Sequence, residues 1–348
     1  MNNRQQYVQI DNESSNMKPV TVGVPQGSVL GPLLFIIYVN DICNATNKFK
    51  PVLFADDTTL ISTLCAFVCT EQNQDTSDNI NIELNKILEW LNINKLSLNV
   101  SKTKYMIFHY PQNRNVQNLS IKINNIDIER VPTFDFLGLK ISETLDWSHH
   151  INKISNKISK VIGIMKRTKR FVNKETLRTI YNSLIQPHLY YSILAWGSSN
   201  VRIFKLQKKA IRTVCGVKYN AHTDKLFKEL NILKVKDIFI IQCAKFYHKF
   251  VNGKLPLYFH NFFDRNSDLH SYNTRSNNRL HLYPYNNQTT KNVIRFKIPN
   301  IINDLPRNVR EKIYTHSLAG FAQYMKKHLI NEYEIECNIE NCYVCENQ

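Results

Sequence analysis

The placement of charge constrains this chain more than any other feature. Of 348 residues, 45 are Lys or Arg and 28 are Asp or Glu, a net charge of +17. Residues 151–260 alone hold 22 basic and 4 acidic groups, net +18, while 1–70, 71–150 and 261–348 carry −1, −2 and +2. A solvated surface normally mixes both signs. An excess confined to one block repels itself unless a polyanion neutralises it. The block must therefore display a basic face while burying an apolar one.

Its apolar residues recur in helical period. Ile151, Ile154, Ile158, Val161, Ile162 and Met165 fall within a sector about 100° wide on a helical wheel, with Lys153, Lys157, Lys160 and Arg167 opposite. Further helices are predicted over 175–186, ended by Pro187, over 203–215, ended by Gly216, and over 235–251, ended near Gly253 and Pro256. Lys205, Lys208, Lys209 and Arg212 form a second basic stripe at i, i+3, i+4 and i+7. Exposed helices usually pair Glu with Lys along such faces, and the acidic partners are missing here.

The first third reads as mixed α/β. Gln5 to Ile10 is β-prone. A Gly- and Pro-punctuated loop from Gly23 to Pro32 follows, with Ser28 suited to an N-cap and Pro32 to a first helical turn. The helix predicted over 33–43 is apolar on most sides and is expected to be buried. In Val52 to Ile61 two β-prone runs flank Asp56 and Asp57, the pattern of a hairpin with acids at its tip. Asp is also common in turns for conformational reasons alone.

Several classes are excluded. The longest apolar run, Leu33 to Val39, is far short of the roughly 20 residues a spanning helix needs. Residues 1–12 show no apolar signal core, so an intracellular protein without membrane contact is expected. With 9 Gly in 348 residues, collagen-like and glycine-linker architectures are out. The eight cysteines are scattered and read as reduced thiols. Cys337, Cys342 and Cys345 supply three ligands, and the nearest histidine is His328, whereas a zinc knuckle needs four; this counts against zinc.

Four ordered motifs carry a family resemblance. Gly23-Val24-Pro25-Gln26-Gly27-Ser28-Val29-Leu30-Gly31-Pro32-Leu33-Leu34-Phe35 resembles motif B of reverse transcriptases, and Phe54-Ala55-Asp56-Asp57 resembles motif C, at the family's spacing. Asn94 to Thr103 resembles motif D, and Phe136-Leu137-Gly138-Leu139 resembles motif E, the primer grip. Leu184 to Leu189, Leu206 to Arg212 and Tyr272 to Arg275 are similar to the C-terminal part of non-LTR, LINE-type, jockey-like retrotransposon polymerases.

The resemblance implies an α+β chain in three segments. Residues 1–150 would form a partial polymerase palm, an antiparallel sheet plus helices including the primer grip. Residues 151–260 would form a basic helical thumb, and 261–348 a small C-terminal α/irregular region. It implies an RNA template, a DNA primer, deoxynucleotide triphosphates and Mg²⁺, with nucleotidyl transfer to the primer 3′-hydroxyl. Asp56 would be a metal ligand and Asp57 a weaker ligand or structural acceptor. Carboxylates suit Mg²⁺ because it is a hard cation. Gln26, Gly27 and Ser28 would lie by the incoming nucleotide or template, Phe54 against a sugar, Gly138 near the primer, and Lys102 by the leaving pyrophosphate as a general acid. Phe54 suits a strand core equally, and Lys102 a solvated loop.

One departure stands out. The family's other essential carboxylate, in motif A, precedes motif B by more than the 22 residues before Gly23, and Asp11 and Glu13 lack its context. The expectation is an N-terminally truncated polymerase, without fingers or endonuclease domain, inactive alone. Two functions fit: an RNA-directed DNA polymerase by ancestry, or a non-enzymatic nucleic-acid-binding remnant of a degenerate mobile element.

Overall fold

The computed structural model describes residues 4–21, 23–24, 27–63, 73–113, 116, 118–198, 201–269, 276–285 and 292–333, with backbone only at 73–75. The chain is α+β and divides into two compact units, one of residues 1–107 with 112–131, the other of 108–111 with 132–348.

The first unit is built from two-stranded pieces. Strand β1 (Arg4–Gln6) is followed by β2 (Gln9–Ile10), β3 (Glu13–Ser14) and β4 (Lys18–Val20), with β1 pairing β4 and β2 pairing β3. The β-prone run at 5–10 is thus two strands, and the turn after it places Asp11 at φ 51°. Helix α1 (Leu30–Val39) runs into a 3-10 turn, Asn40–Asn44. An antiparallel hairpin follows, β5 (Lys50–Phe54) with β6 (Asp57–Ile61). Helix α2 (Asn73–Ile93) leads to β7 (Lys104–Tyr105), β8 (Lys122–Ile123), β9 (Ile126–Asp127) and β10 (Glu129–Arg130). Here β8 pairs β9, and β10 lies parallel to β7. The core is Ile80, Ile121, Ile123 and Ile128, edged by Leu84, Leu88 and Tyr105. Buried Glu83 on α2 binds Thr46 Oγ1 at 2.5 Å and Lys86 Nζ at 2.6 Å. These bonds, Lys86 first, hold its carboxyl below the ordinary carboxylate value.

Helix α1 corrects the expectation of burial. Leu33, Ile36 and Ile37 are 54, 59 and 64% exposed, and within the helix only Val39 is buried. Apolar composition lets a helix be buried but does not supply a surface to cover it. The sheets among the described residues have two strands each, too narrow to do so.

The second unit opens with the hairpin β11 (Thr133–Phe136) and β12 (Leu139–Ser142), followed by α3 (Ser148–Thr168), α4 (Lys174–Leu184), α5 (Gln186–Tyr190), α6 (Ile193–Trp196), α7 (Val201–Cys215), α8 (Asp224–Glu229) and α9 (Val235–Val251). The predicted apolar stripe is the buried face of α3: Ile151, Ile154, Ile158, Ile162 and Met165. Asn173 Oδ1 caps α4 by accepting from the Thr176 amide at 2.8 Å. Pro187 does not end α4; it sits in the first turn of α5, where its missing N–H costs nothing. Gly216 ends α7 at φ +71°, the left-handed position helices use to stop.

Helix α9 spans the residues the sequence predicts, but nine of its residues between Val235 and His248 are buried and they fall on more than one face, with Lys236 exposed. A helix buried on more than one face needs cover beyond one neighbour. That cover comes from Ile294–Asp304, Arg307–Thr315 and Leu318–Asn331, whose Ile298, Val309, Ile313, Phe321 and Met325 are fully buried in the same core. The compact units therefore divide differently from the three expected segments. The hairpin 133–142 lies with the helices, and residues 294–333 share the core of 151–260. Fully buried Gln207 joins three elements, donating to Tyr181 Oη (2.9 Å) and the Leu233 carbonyl (2.8 Å) and accepting from the Val235 amide (2.8 Å). No helix among the described residues is long and apolar enough to cross a membrane.

Candidate functional site

The predicted hairpin with acids at its tip is present. Its ladder runs from Lys50 opposite Ile61 to Phe54 opposite Asp57, leaving Ala55 and Asp56 as a two-residue turn. Such turns twist correctly only with a left-handed residue, usually Gly, Asn or Asp. Here Ala55 takes that conformation at φ 50°. A non-glycine residue there costs about 1–2 kcal/mol, strain that the rest of the hairpin must hold.

The turn displays Asp56, and Asp57 opens β6; both are exposed. Neither carboxylate makes a hydrogen bond or ion pair with a described residue, so their oxygens are open to an outside cation. Two adjacent carboxylates are hard oxygen donors of the kind Mg²⁺ takes alongside water and phosphate. In donor chemistry the residues fit that ion. No larger group of metal-ligating side chains occurs among the described residues. Phe54, 61% exposed, stands beside them rather than in a core.

The other sequence candidates in this unit have local roles as well. Gln26 lies outside the described residues, as do Cys337, Cys342, Cys345 and Tyr272 to Arg275. Gly27 has φ +82° and open space where a Cβ would stand, so conformation rather than crowding selects glycine. Ser28 Oγ accepts from the Gly31 amide at 3.1 Å, in the first turn of α1, although the N-cap position itself is Val29 rather than the predicted Ser28. Lys102 is exposed at the end of a 3-10 turn that Asn99 caps from its side-chain oxygen, at 3.2 Å. Among the described residues, no hydrogen bond or ion pair ties Gly27, Ser28 or Lys102 to the carboxylate hairpin.

In the second unit Leu137 (φ 46°) and Gly138 (φ 82°) form the β11–β12 turn. Two residues of α3 and one just past α5 fasten it. Tyr191 Oη donates to the Leu137 carbonyl, and its ring lies 3.6 Å from where a Gly138 Cβ would be. His150 Nδ1 accepts from the Lys140 amide at 3.2 Å. Lys153 Nζ pairs with Asp135 at 2.5 Å, which, with Lys140 on the other oxygen, holds that carboxyl below its ordinary value. Burial lowers the His150 pKa below 6.5. Sequence reasoning missed Tyr191 and His150, because neither stands in a motif.

Two basic residues are placed differently from expectation. Lys153 is half-buried and ion-paired, because α3 tilts that position toward the hairpin. Arg212 is half-buried, and its Nε donates to the Ala221 carbonyl at 2.7 Å, bracing the loop after α7. Lys208 lies 4.9 Å from the Phe204 ring centre. Lys157, Lys160, Arg167, Lys205 and Lys209 are exposed, without carboxylate partners among the described residues.

Residues 2–141 match the reverse transcriptase (RNA-dependent DNA polymerase) family, and this part of the chain is a reverse transcriptase domain. The relatives are the jockey-like polymerases of non-LTR retrotransposons. The chain is 24% identical over 245 residues to the RNA-directed DNA polymerase from mobile element jockey of Drosophila melanogaster, covering 66% of this chain and 26% of that protein. It is 26% identical over 258 residues to the jockey polymerase of Drosophila funebris, covering 70% and 27%. To the probable polymerase from transposon X-element it is 25% identical over 231 residues, covering 63% and 24%. The alignments thus reach well beyond residue 141, yet span about a quarter of these relatives. No solved structure matches.

Proposed function

We propose that this chain is part of an RNA-directed DNA polymerase that extends a DNA primer on an RNA template from deoxynucleotide triphosphates. The observation that carries this reading is the strained turn at Ala55, which holds two exposed, unpartnered carboxylates at a hairpin tip. Asp56, with Asp57 beside it, would hold Mg²⁺. The ion supplies positive charge where the attacking and leaving oxygens become negative. Phe54 packs on a sugar, and Gln26, Gly27 and Ser28 line the nucleotide's approach. Lys102 offers a proton to the leaving pyrophosphate, and the Gly138 turn meets the primer. Lys157, Lys160, Arg167, Lys205 and Lys209 contact phosphates, which positions nucleic acid without reading sequence.

The test is metal-directed cleavage. With Fe²⁺ in place of Mg²⁺, hydrogen peroxide as oxidant and ascorbate to recycle the iron, backbone scission is expected around Phe54 to Asp57. Scission unchanged in Asp56→Asn with Asp57→Asn would count against the assignment. Assayed alone, the 348-residue polypeptide is expected to extend no primer, since no third metal-ligating side chain joins Asp56 and Asp57 among the described residues. Template-dependent extension abolished by Asp56→Asn would overturn that part.

A second reading, a nucleic-acid-binding protein without catalysis, draws on the +18 of residues 151–260. It shares the binding behaviour and differs in lacking metal-directed cleavage at the hairpin.

A further inference from the structure

The turn between α3 and α4 sets a bare aromatic ring among cations. From Trp147 to Lys174 the chain carries eight Lys and Arg and no acidic residue. Lys166, Arg167, Lys169 and Arg170 are exposed and pair with no carboxylate among the described residues. Phe171 follows directly and is 86% exposed. Scattered exposed aliphatics need no explanation, but a whole phenyl ring held in water at a turn gains nothing from the fold. Its neighbours in the chain, Arg170 and Val172, line a cleft of about 360 Å³. Lys169, Arg170 and Lys174 form one wall, and the end of α7, from Thr213 to Gly216, forms the other. Just past Gly216, Tyr219 is 89% exposed. Lys174 is held by Glu229 at 2.5 Å, so Lys169 and Arg170 are the cleft's uncommitted cations.

We propose that this turn captures an unpaired nucleotide of single-stranded RNA or DNA, with the exposed Phe171 ring stacked on the base and Lys169 and Arg170, in the adjoining cleft, on the flanking phosphates. The proposal rests on the reading that the chain binds nucleic acid, and it specifies where and in what form. Cations alone would serve a duplex, whose bases already stack on one another. A ring is useful only against a base with an open face, and every base has one, so capture is indifferent to sequence. Aromatic and basic residues also mark membrane-surface segments, but those present several apolar anchors along one helix face. Phe171 is a single ring at a turn, between Arg170 and Val172 of a cleft whose lining includes three cations. No row of apolar anchors continues from it back toward α3, where Lys166, Arg167, Lys169 and Arg170 are the exposed residues directly before it.

The experiment uses the full chain and follows fluorescence anisotropy with oligouridylate and oligothymidylate of about 20 nucleotides, long enough to cover a groove, and with a blunt duplex of equal length. Phe171→Ala is expected to weaken single-strand binding about tenfold, the usual size of one lost stack, while changing duplex binding less than about twofold. Phe171→Trp should restore it. Because Phe171 is exposed, neither change threatens folding. Lys169→Gln with Arg170→Gln should flatten the single-strand salt slope by about 1.4, two phosphates' worth. Alkylation of Cys215, in the cleft wall, should slow with oligouridylate in the parent chain and not in Phe171→Ala.

Single-strand affinity unchanged in Phe171→Ala overturns the proposal, as does an equal loss on duplex. So does a dependence on Phe171 seen only with phosphatidylserine vesicles. Duplex binding that survives these outcomes leaves the broader reading standing, whereas no binding of any nucleic acid removes both.

Discussion

The two units hold themselves together by different means. Among the described residues, the helical unit encloses 38 buried apolar side chains in one cluster. The first unit encloses four in its cluster and leaves α1 open to solvent. The carboxylates sit in the unit with little core, on a two-stranded hairpin stretched over a strained turn. The basic and aromatic groups sit on the unit with a large one. Rigid packing serves a surface that must grip a long polyanion, while the reactive groups depend on a short local frame.

The sharpest way to break this contrast is to excavate each unit. Phe321→Ala, in the large core, should cost about 3–5 kcal/mol, whereas Leu53→Ala, on the half-buried face of β5, should cost under about 1 kcal/mol. Urea denaturation followed by circular dichroism reads both. Equal losses would mean the units share one cooperative core.

Next in size are the turns. Ala55→Gly relieves a left-handed alanine and should stabilise the first unit by about 1 kcal/mol; Gly138→Ala imposes the same strain and should destabilise the second by a similar amount. Thermal melting of both variants should therefore move in opposite directions. Parallel shifts would show that Ala55 is not strained.

The smallest effect expected is a pH slope confined to the helical unit. His150 has its pKa lowered, by burial first and by Lys153 and Lys157 after, with Asp135 opposing. The unfolded chain therefore binds a proton near 6.5 that the fold refuses. Stability is fully present above that pH and falls as pH drops through 6.5 and below. His150→Gln should flatten the slope, and an unchanged slope would mean another group sets it.

How much of this was legible follows from where each residue's partners lie. Helices α3, α7 and α9 could be read because a 3.6-residue period and Gly or Pro punctuation are local signals. The carboxylate hairpin could be read because two β-prone runs bracket a turn. The exposure of α1 could not, since it depends on what lies beside it. The pairing of Lys153 with Asp135, 18 residues back, and of Tyr191 with Leu137, 54 residues back, also lay out of reach. Arg212 looked like one more member of a charged stripe, and only the loop ending at Ala221 makes it a brace.

The fastening of the β11–β12 hairpin has a mechanical consequence. A carbonyl, an amide and a carboxylate of that hairpin are each gripped by a different side chain of the helical unit, from Tyr191 just past α5 and from His150 and Lys153 on α3. Three fixed points remove every rotation a rigid body has. The Gly138 tip therefore rides on the helices as a pointer rides on its dial: any swing of the helical unit is delivered to the tip undiminished. Substitutions within the tip can change what it touches, and only changes in the helices can change where it points.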